Sequence, residues 1–200
     1  MLRRSLLAAA FLAGLAAVAP AWAALDPAGF INNLGNEALE VLNPATNPEQ
    51  RVVEFRALFR RDFDVPQIAR FVLGRYWRVA TPAQQREFIH LFENYIALAY
   101  STRLSHYGGE RLQVTGSRLT PGGAVVTSEV GRSSGGSPVK IEWSLTRYDG
   151  TYKINDVVVD GISMAVTQRS EFASVIERHG GDVQGLLETL RAKTAGAAGG

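Results

Sequence analysis

The chain has 200 residues, with 21 Lys and Arg against 19 Asp and Glu and no cysteine. That length suits one domain and hardly two, and the missing cysteines exclude a disulfide framework, a cysteine-ligated zinc or iron–sulfur centre and a thiol nucleophile. At 46 % apolar residues there is material for one sizeable buried core.

Residues 1–23 read as a secretory signal peptide. Arg3 and Arg4 form a positive start, residues 6–18 are apolar apart from Gly14, and Ala21-Trp22-Ala23 has the small-x-small pattern of cleavage after Ala23. The apolar run falls short of the roughly 20 residues that a membrane span requires. The Arg3-Arg4 pair suits either general or twin-arginine export. Cleavage leaves 19 of the 21 basic residues against all 19 acids, so the +2 of the whole chain belongs to the leader. A neutral remainder has no long-range field to draw phosphate backbones, and no nucleic-acid partner is expected. Residues 24–193 are expected to form a single domain, followed by a flexible tail of small residues, 194–200.

The first half reads as helix. Asp26 caps a helix with Pro27 at its first position, and Phe30, Leu34, Ala38 and Val41 recur at helical spacing until Asn43-Pro44. Asn47-Pro48 starts a second, with Val52, Phe55, Leu58 and Phe59 on one face, ending near Phe63. Asp64 caps a short third helix over about 66–73, closed by Gly74. Thr81-Pro82-Ala83-Gln84 is a capping box that opens the longest helix, which should reach about His106 before Tyr107-Gly108-Gly109. Its apolar positions, from Phe88 to Tyr100, cover roughly 200° of the wheel, about twice a surface helix's stripe. Such a helix is buried on two sides or lines a cavity.

The middle changes to period two. Val139, Ile141, Trp143 and Leu145 alternate with Lys140, Glu142, Ser144 and Thr146, the pattern of a half-buried antiparallel strand. Asp149-Gly150 turns the chain into a strand over 152–159, with Tyr152, Ile154 and Val158 on one face and Asp156 facing the same way. Two further strands, 112–119 and 124–130, precede it, and 133–137 is a polar hairpin loop. Helix returns at about 164–179 with Phe172, Val175 and Ile176 inward. Asp182 caps a last helix carrying Leu186, Leu187 and Leu190. Helices, four strands, then helices describe an α+β fold with one sheet face covered.

Signals of catalysis are sparse. His90, His106 and His179 stand on separate segments, where solvation or helix capping accounts for them, and no ligand set for a metal is visible. No phosphate-binding loop and no G-x-S-x-G elbow occurs. Asp156 admits two readings, a raised-pKa general base or a carboxylate bonded to backbone or to an arginine. Large apolar side chains are plentiful, and the wide arc of the long helix opposite the Trp143 strand permits a filled core or an apolar pocket. The sequence does not separate the two.

Two segments carry a resemblance. One holds Leu73-Gly74-Arg75-Tyr76-Trp77, Ala80 to Arg86, Phe88, Phe92, Tyr95, Tyr100, Leu104 and Tyr107. The other holds Asp156, Gly161-Ile162-Ser163-Met164, Gln168-Arg169-Ser170-Glu171-Phe172, Ile176 and Gly180. Together they resemble the MlaC family, the toluene-tolerance auxiliary proteins of Gram-negative bacteria, and equally its hopanoid-associated HpnM branch. The resemblance implies a periplasmic, non-catalytic carrier of phospholipid or a hopanoid-related lipid, without metal or cofactor. It would shuttle between an inner-membrane ABC transporter complex and an outer-membrane lipoprotein complex. It implies a nuclear-transport-factor-two-like fold, with helices on a curved four-stranded antiparallel sheet and an apolar pocket between them. Carried over, the pocket residues are Val72, Leu73, Tyr76, Phe88, Phe92, Tyr95, Trp143, Leu145 and Met164. The chain departs from the better-known carriers in its short opening before Pro48 and its Gly/Ser hairpin. Two other functions remain open, an enzyme of the same fold using Asp156 as base and a structural adaptor in an envelope complex.

Overall fold

Short polar side chains start the four helices that precede the sheet. In the computed structural model, which describes residues 26–43, 45–104, 111–132 and 135–195, α1 (Pro27–Val41) begins where Asp26 accepts the Ala28 N–H at 3.0 Å. Asn47 accepts the Glu49 N–H at 2.8 Å to start α2 (Pro48–Asp62), and Asp64 the Gln67 N–H at 3.2 Å to start α3 (Val65–Leu73). A 3-10 turn (Gly74–Arg78) leads to α4 (Pro82–Leu104). There Thr81 Oγ1 accepts from the Gln84 N–H and Gln84 Oε1 from the Thr81 N–H, the reciprocal capping box. Gly74 takes φ +57°, the conformation that favours glycine, and a Cβ there would come within 2.8 Å of Arg169 Nε and displace that side chain.

The sheet has five antiparallel strands in sequence order, β1 (Leu112–Thr120), β2 (Gly123–Val130), β3 (Val139–Tyr148), β4 (Thr151–Val159) and β5 (Ile162–Ser163). The fifth corrects the expected four, and at two residues it is too short to show a period. α5 (Met164–Arg178) and α6 (Val183–Thr194) complete the fold. Ser163 accepts the Val166 N–H to cap α5, and Asp182 the Gln184 N–H to cap α6. Thr194, assigned above to the tail, ends α6 instead, buried and bonded to the Leu190 carbonyl. The proposed leader, His106 with the Tyr107-Gly108-Gly109 stop, Ser133-Ser134 and residues 196–200 lie outside the described residues.

A second correction concerns β4. Leu145 pairs with Ile154, but Ser144 pairs with Asp156, so Asn155 is an extra residue with no partner across the ladder. This bulge inverts the alternation after it. Val157 and Val159 now share a face with their partners Trp143 and Ile141, while Asp156 and Val158 pair with Ser144 and Glu142. The uniform period expected for 152–159 therefore misplaced Val158 and Asp156.

The interior forms two apolar clusters. One joins α2 to α6 through residues such as Phe88, Phe92, Phe172, Leu186 and Leu187. The other sets Ile31, Leu34 and Leu58 against Ala124, Val126, Trp143, Leu145, Tyr152 and Ile154 of the sheet. Ser128 is buried within the second because it accepts the Trp143 indole N–H at 2.8 Å. The wide arc of α4 follows from its position, packed on α2 at one side and on α6 at the other. Even its polar arc is partly covered, since Glu93 is buried in an ion pair with Arg60.

Candidate functional site

The two clusters do not meet everywhere, and the gap between them is a cavity of about 260 Å³. α1 contributes Leu34 and Ala38 to its wall, α2 Phe55, Leu58 and Phe59, and α3 Ile68 and Val72. From α4 come Phe92, Ile96, Tyr100 and Leu104. These stand four residues apart, and each such step turns the side chain about 40° around the helix. The row that starts at Phe88 in the filled helical core therefore winds into the cavity and ends at its rim. Ile141, Trp143, Val157 and Val159 form the sheet wall, and Met164, Ala165 and Gln168 of α5 the last side. Leu42, Tyr100, Leu104, Val157, Val159 and Met164 are only half-buried and mark the mouth.

The few polar groups of the wall have partners on their own helices or on neighbouring elements. Asn155 Nδ2 donates to Thr146 Oγ1 at 2.6 Å, and Gln168 Nε2 to Glu171 Oε2 at 3.1 Å. The Tyr100 hydroxyl lies 3.9 Å from Met164 Sδ, bridging α4 and α5 beside the mouth. Burial raises the Tyr100 pKa above the usual phenol range. Asp156 accepts from the Val157 N–H at 2.8 Å, the Ser163 hydroxyl at 2.6 Å and the Ala165 N–H at 3.1 Å. That carboxylate joins the bulge to the start of α5, the backbone-bonded reading of the two held open above. Among the described residues no group of His, Asp and Glu is placed to hold a metal ion, and no helix is long and apolar enough to cross a membrane.

Of the residues expected at a pocket, Val72, Phe92, Trp143 and Met164 line this cavity. The others are packed elsewhere. Leu73 lies 1 % exposed in the helical cluster, and Tyr76 is buried there with its hydroxyl accepting from Arg75 at 2.8 Å. Phe88 is enclosed by Phe92 and Phe172, with centroids 5.9 and 5.7 Å away. Tyr95 packs on Phe172 at 5.9 Å beneath Lys193. Leu145 sits in the sheet-side cluster between its cross-strand partners Ala124 and Ile154. Among the lining residues that the sequence reading missed are Phe59, Ile96, Leu104 and the pair Val157 and Val159. The every-fourth row on α4 was a usable signal for two of them. The bulge concealed the valines.

The model of the MlaC protein family matches residues 33–192. The chain belongs to the MlaC family. A similar relative is the toluene tolerance protein ttg2D of Pseudomonas putida, 24 % identical over 123 residues. That match spans 62 % of this chain and 57 % of the relative's length. A solved structure of a phospholipid-binding protein from Ralstonia solanacearum, in complex with a phospholipid, superposes with a TM-score of 0.74 at 23 % identity. It covers 86 % of this MlaC-family chain and 99 % of the other. At that identity the likeness is one of fold, and it establishes the α+β architecture of helices on an antiparallel sheet.

Proposed function

We propose that this MlaC-family protein is a non-catalytic lipid carrier that takes acyl chains into the cavity between its two clusters. The observation that carries the reading is the wall itself, apolar on every side and with its polar groups already bonded within the protein. Such a wall has nothing to offer a polar substrate. It suits hydrocarbon, which gains about 0.8 kcal/mol for each CH₂ removed from water. A cavity of 260 Å³ lies just below the roughly 300–1,000 Å³ of ligand pockets in general. A two-tailed lipid would therefore leave part of its length outside or push the walls apart.

One likeness supports phospholipid as the ligand, the phospholipid complex of the Ralstonia protein. A leader at residues 1–23 and family membership favour a periplasmic shuttle between an inner-membrane ABC transporter complex and an outer-membrane lipoprotein complex. Val72, Phe92, Trp143 and Met164 are the pocket residues that both the resemblance and the cavity favour. Native mass spectrometry with lipid extraction, on protein purified from a Gram-negative host, tests the proposal. Co-purifying phospholipid is expected, and a hopanoid-related lipid in its place would assign the other branch. A protein that is empty and takes up no added lipid overturns the reading.

A further inference from the structure

A second space, a groove of about 410 Å³, lies against the cavity wall, bordered by Gln67 and Phe71 of α3 and Ser144 of β3. Ile68, Asn155, Asp156 and Ala165 border both spaces, so one layer of side chains separates them. The pairing of β4 explains why the wall is thin here. Before the bulge Phe63 bridges Ile154, and the Asp64 N–H donates to the Ile154 carbonyl at 2.9 Å. After it, β5 pairs with Val158 and Val159. Along residues 155–157 no strand covers that edge among the described residues. Ile68 and Ala165 close the seam instead, with the bonds from Asp156 to Ser163 and Ala165.

A cation stands beside this seam. Arg169 follows Ala165 by one helical turn on the same face of α5. Its guanidinium lies 5.2 Å from the centroid of Phe71, which borders the groove. It also rests on Gly74, where any Cβ would collide with it. A guanidinium stacked on a ring and a bare backbone is held in place with N–H edges left to donate. Arg60, Arg61, Arg75, Arg132 and Arg191 each meet an acid, whereas Arg169, like Arg70, Arg86 and Arg178, has no ion-pair partner among the described residues, and what sets it apart is its place on Phe71 and Gly74. Gln67 and Ser144 add neutral donors to the groove. Asp156, the acid at the seam, has its oxygens engaged by three donors.

We infer that the seam is a second opening of the apolar cavity, where Arg169 binds the phosphate of a lipid whose acyl chain enters between Ile68 and Ala165. The inference rests on the lipid-carrier reading and specifies its ligand. An anionic phosphodiester is selected over a neutral lipid with the same tails, because a planar guanidinium matches two phosphate oxygens at once.

The test loads lipid-stripped protein separately with phosphatidylglycerol from vesicles and with diacylglycerol, and counts bound lipid by native mass spectrometry. Arg169→Gln is expected to lower phosphatidylglycerol occupancy about tenfold, the loss of one charged hydrogen-bond set, and to leave diacylglycerol uptake unchanged. Arg169→Lys should fall between, keeping the charge without the fork. Ser144→Trp, which fills the groove from a residue outside the cavity lining, should also depress phosphatidylglycerol uptake. Equal occupancy in Arg169→Gln and the parent overturns the inference and leaves the carrier reading standing. A parallel fall for both lipids makes Arg169 a packing residue only and likewise overturns it. Inorganic phosphate bound by the stripped protein as tightly as the lipid would reassign the groove to a free anion. A parent protein that takes up neither lipid overturns this inference and the carrier reading together.

Discussion

α4 divides the interior into a filled half and a hollow half made from the same kinds of residue. Toward α5 and α6, Phe88, Leu186 and Leu187 are fully buried, and Phe172 closes edge-on against Phe88 and Phe92. Toward the sheet, Ile96, Tyr100 and Leu104 look across open space at Ile141, Trp143 and Val159. Hydrophobicity does not distinguish the halves. Support does. α1 packs on β1 and β2 and α5 on β4, so the sheet is carried at its margins, while α4 leans mainly on α2 and α6. A sheet held at two edges leaves its middle away from the long helix. Helices packed directly on one another, as α6 is on α4 and on α5, close up to crystal-like density.

The most severe way to break the contrast is to fill the hollow half. Ala38 lines the cavity and is half-buried, so a larger side chain enters open space there rather than packed atoms. Ala38→Trp is expected to reduce lipid retention more than tenfold in native mass spectra while the melting temperature holds. Next in size is a paired truncation. Phe88→Ala should cost about 3–5 kcal/mol in urea denaturation. Ile96→Ala should cost about 2 kcal/mol, because part of that side chain already faces empty space and loses few contacts. Equal losses would erase the distinction between the halves. Smaller again is Asp156→Ala, which removes the acceptor for three donors at the bulge and the start of α5. Its expected effect is about 1–3 kcal/mol of stability in urea denaturation.

The smallest effect concerns the mouth. Burial raises the Tyr100 pKa, so the folded state holds that proton more tightly than the unfolded chain. The resulting stability is complete below the ordinary phenol pKa of about 10 and fades as pH climbs through the raised value. Tyr100→Phe should therefore flatten the alkaline fall in melting temperature above about pH 10. An unchanged alkaline limb would place Tyr100 in water and the mouth elsewhere.

Much of this fold was readable because its signals are local. Asp26, Asn47, Asp64 and the Thr81–Gln84 box each name a helix start within a few residues, and each caps in the structure as its chemistry requires. The alternation from Val139 to Leu145 survived for the same reason, with Val139, Trp143 and Leu145 buried. The cavity was less legible. Periodicity identifies the face of an element that turns inward but says nothing of how near the opposite wall stands. Phe88 and Ile96 are therefore alike in sequence, one enclosed in packing and the other beside a void. A charge count has a related limit. A neutral total describes the far field, while the placement of Arg169 on Phe71 and Gly74 is a matter of geometry that no sum records.

The bulge at Asn155 sets a rule about length as distinct from identity. Substitutions along β4 act one side chain at a time. Deleting Asn155 would join Ile154 directly to Asp156, keep them opposite Leu145 and Ser144, and leave Val157 and Val159 on the cavity face of a regular ladder. A loss of that one codon would thus regularise the strand, whereas the loss of a ladder-paired residue such as Asp156 would shift the partners that follow. Outside the bulge, this strand can vary in spelling more freely than in number of letters.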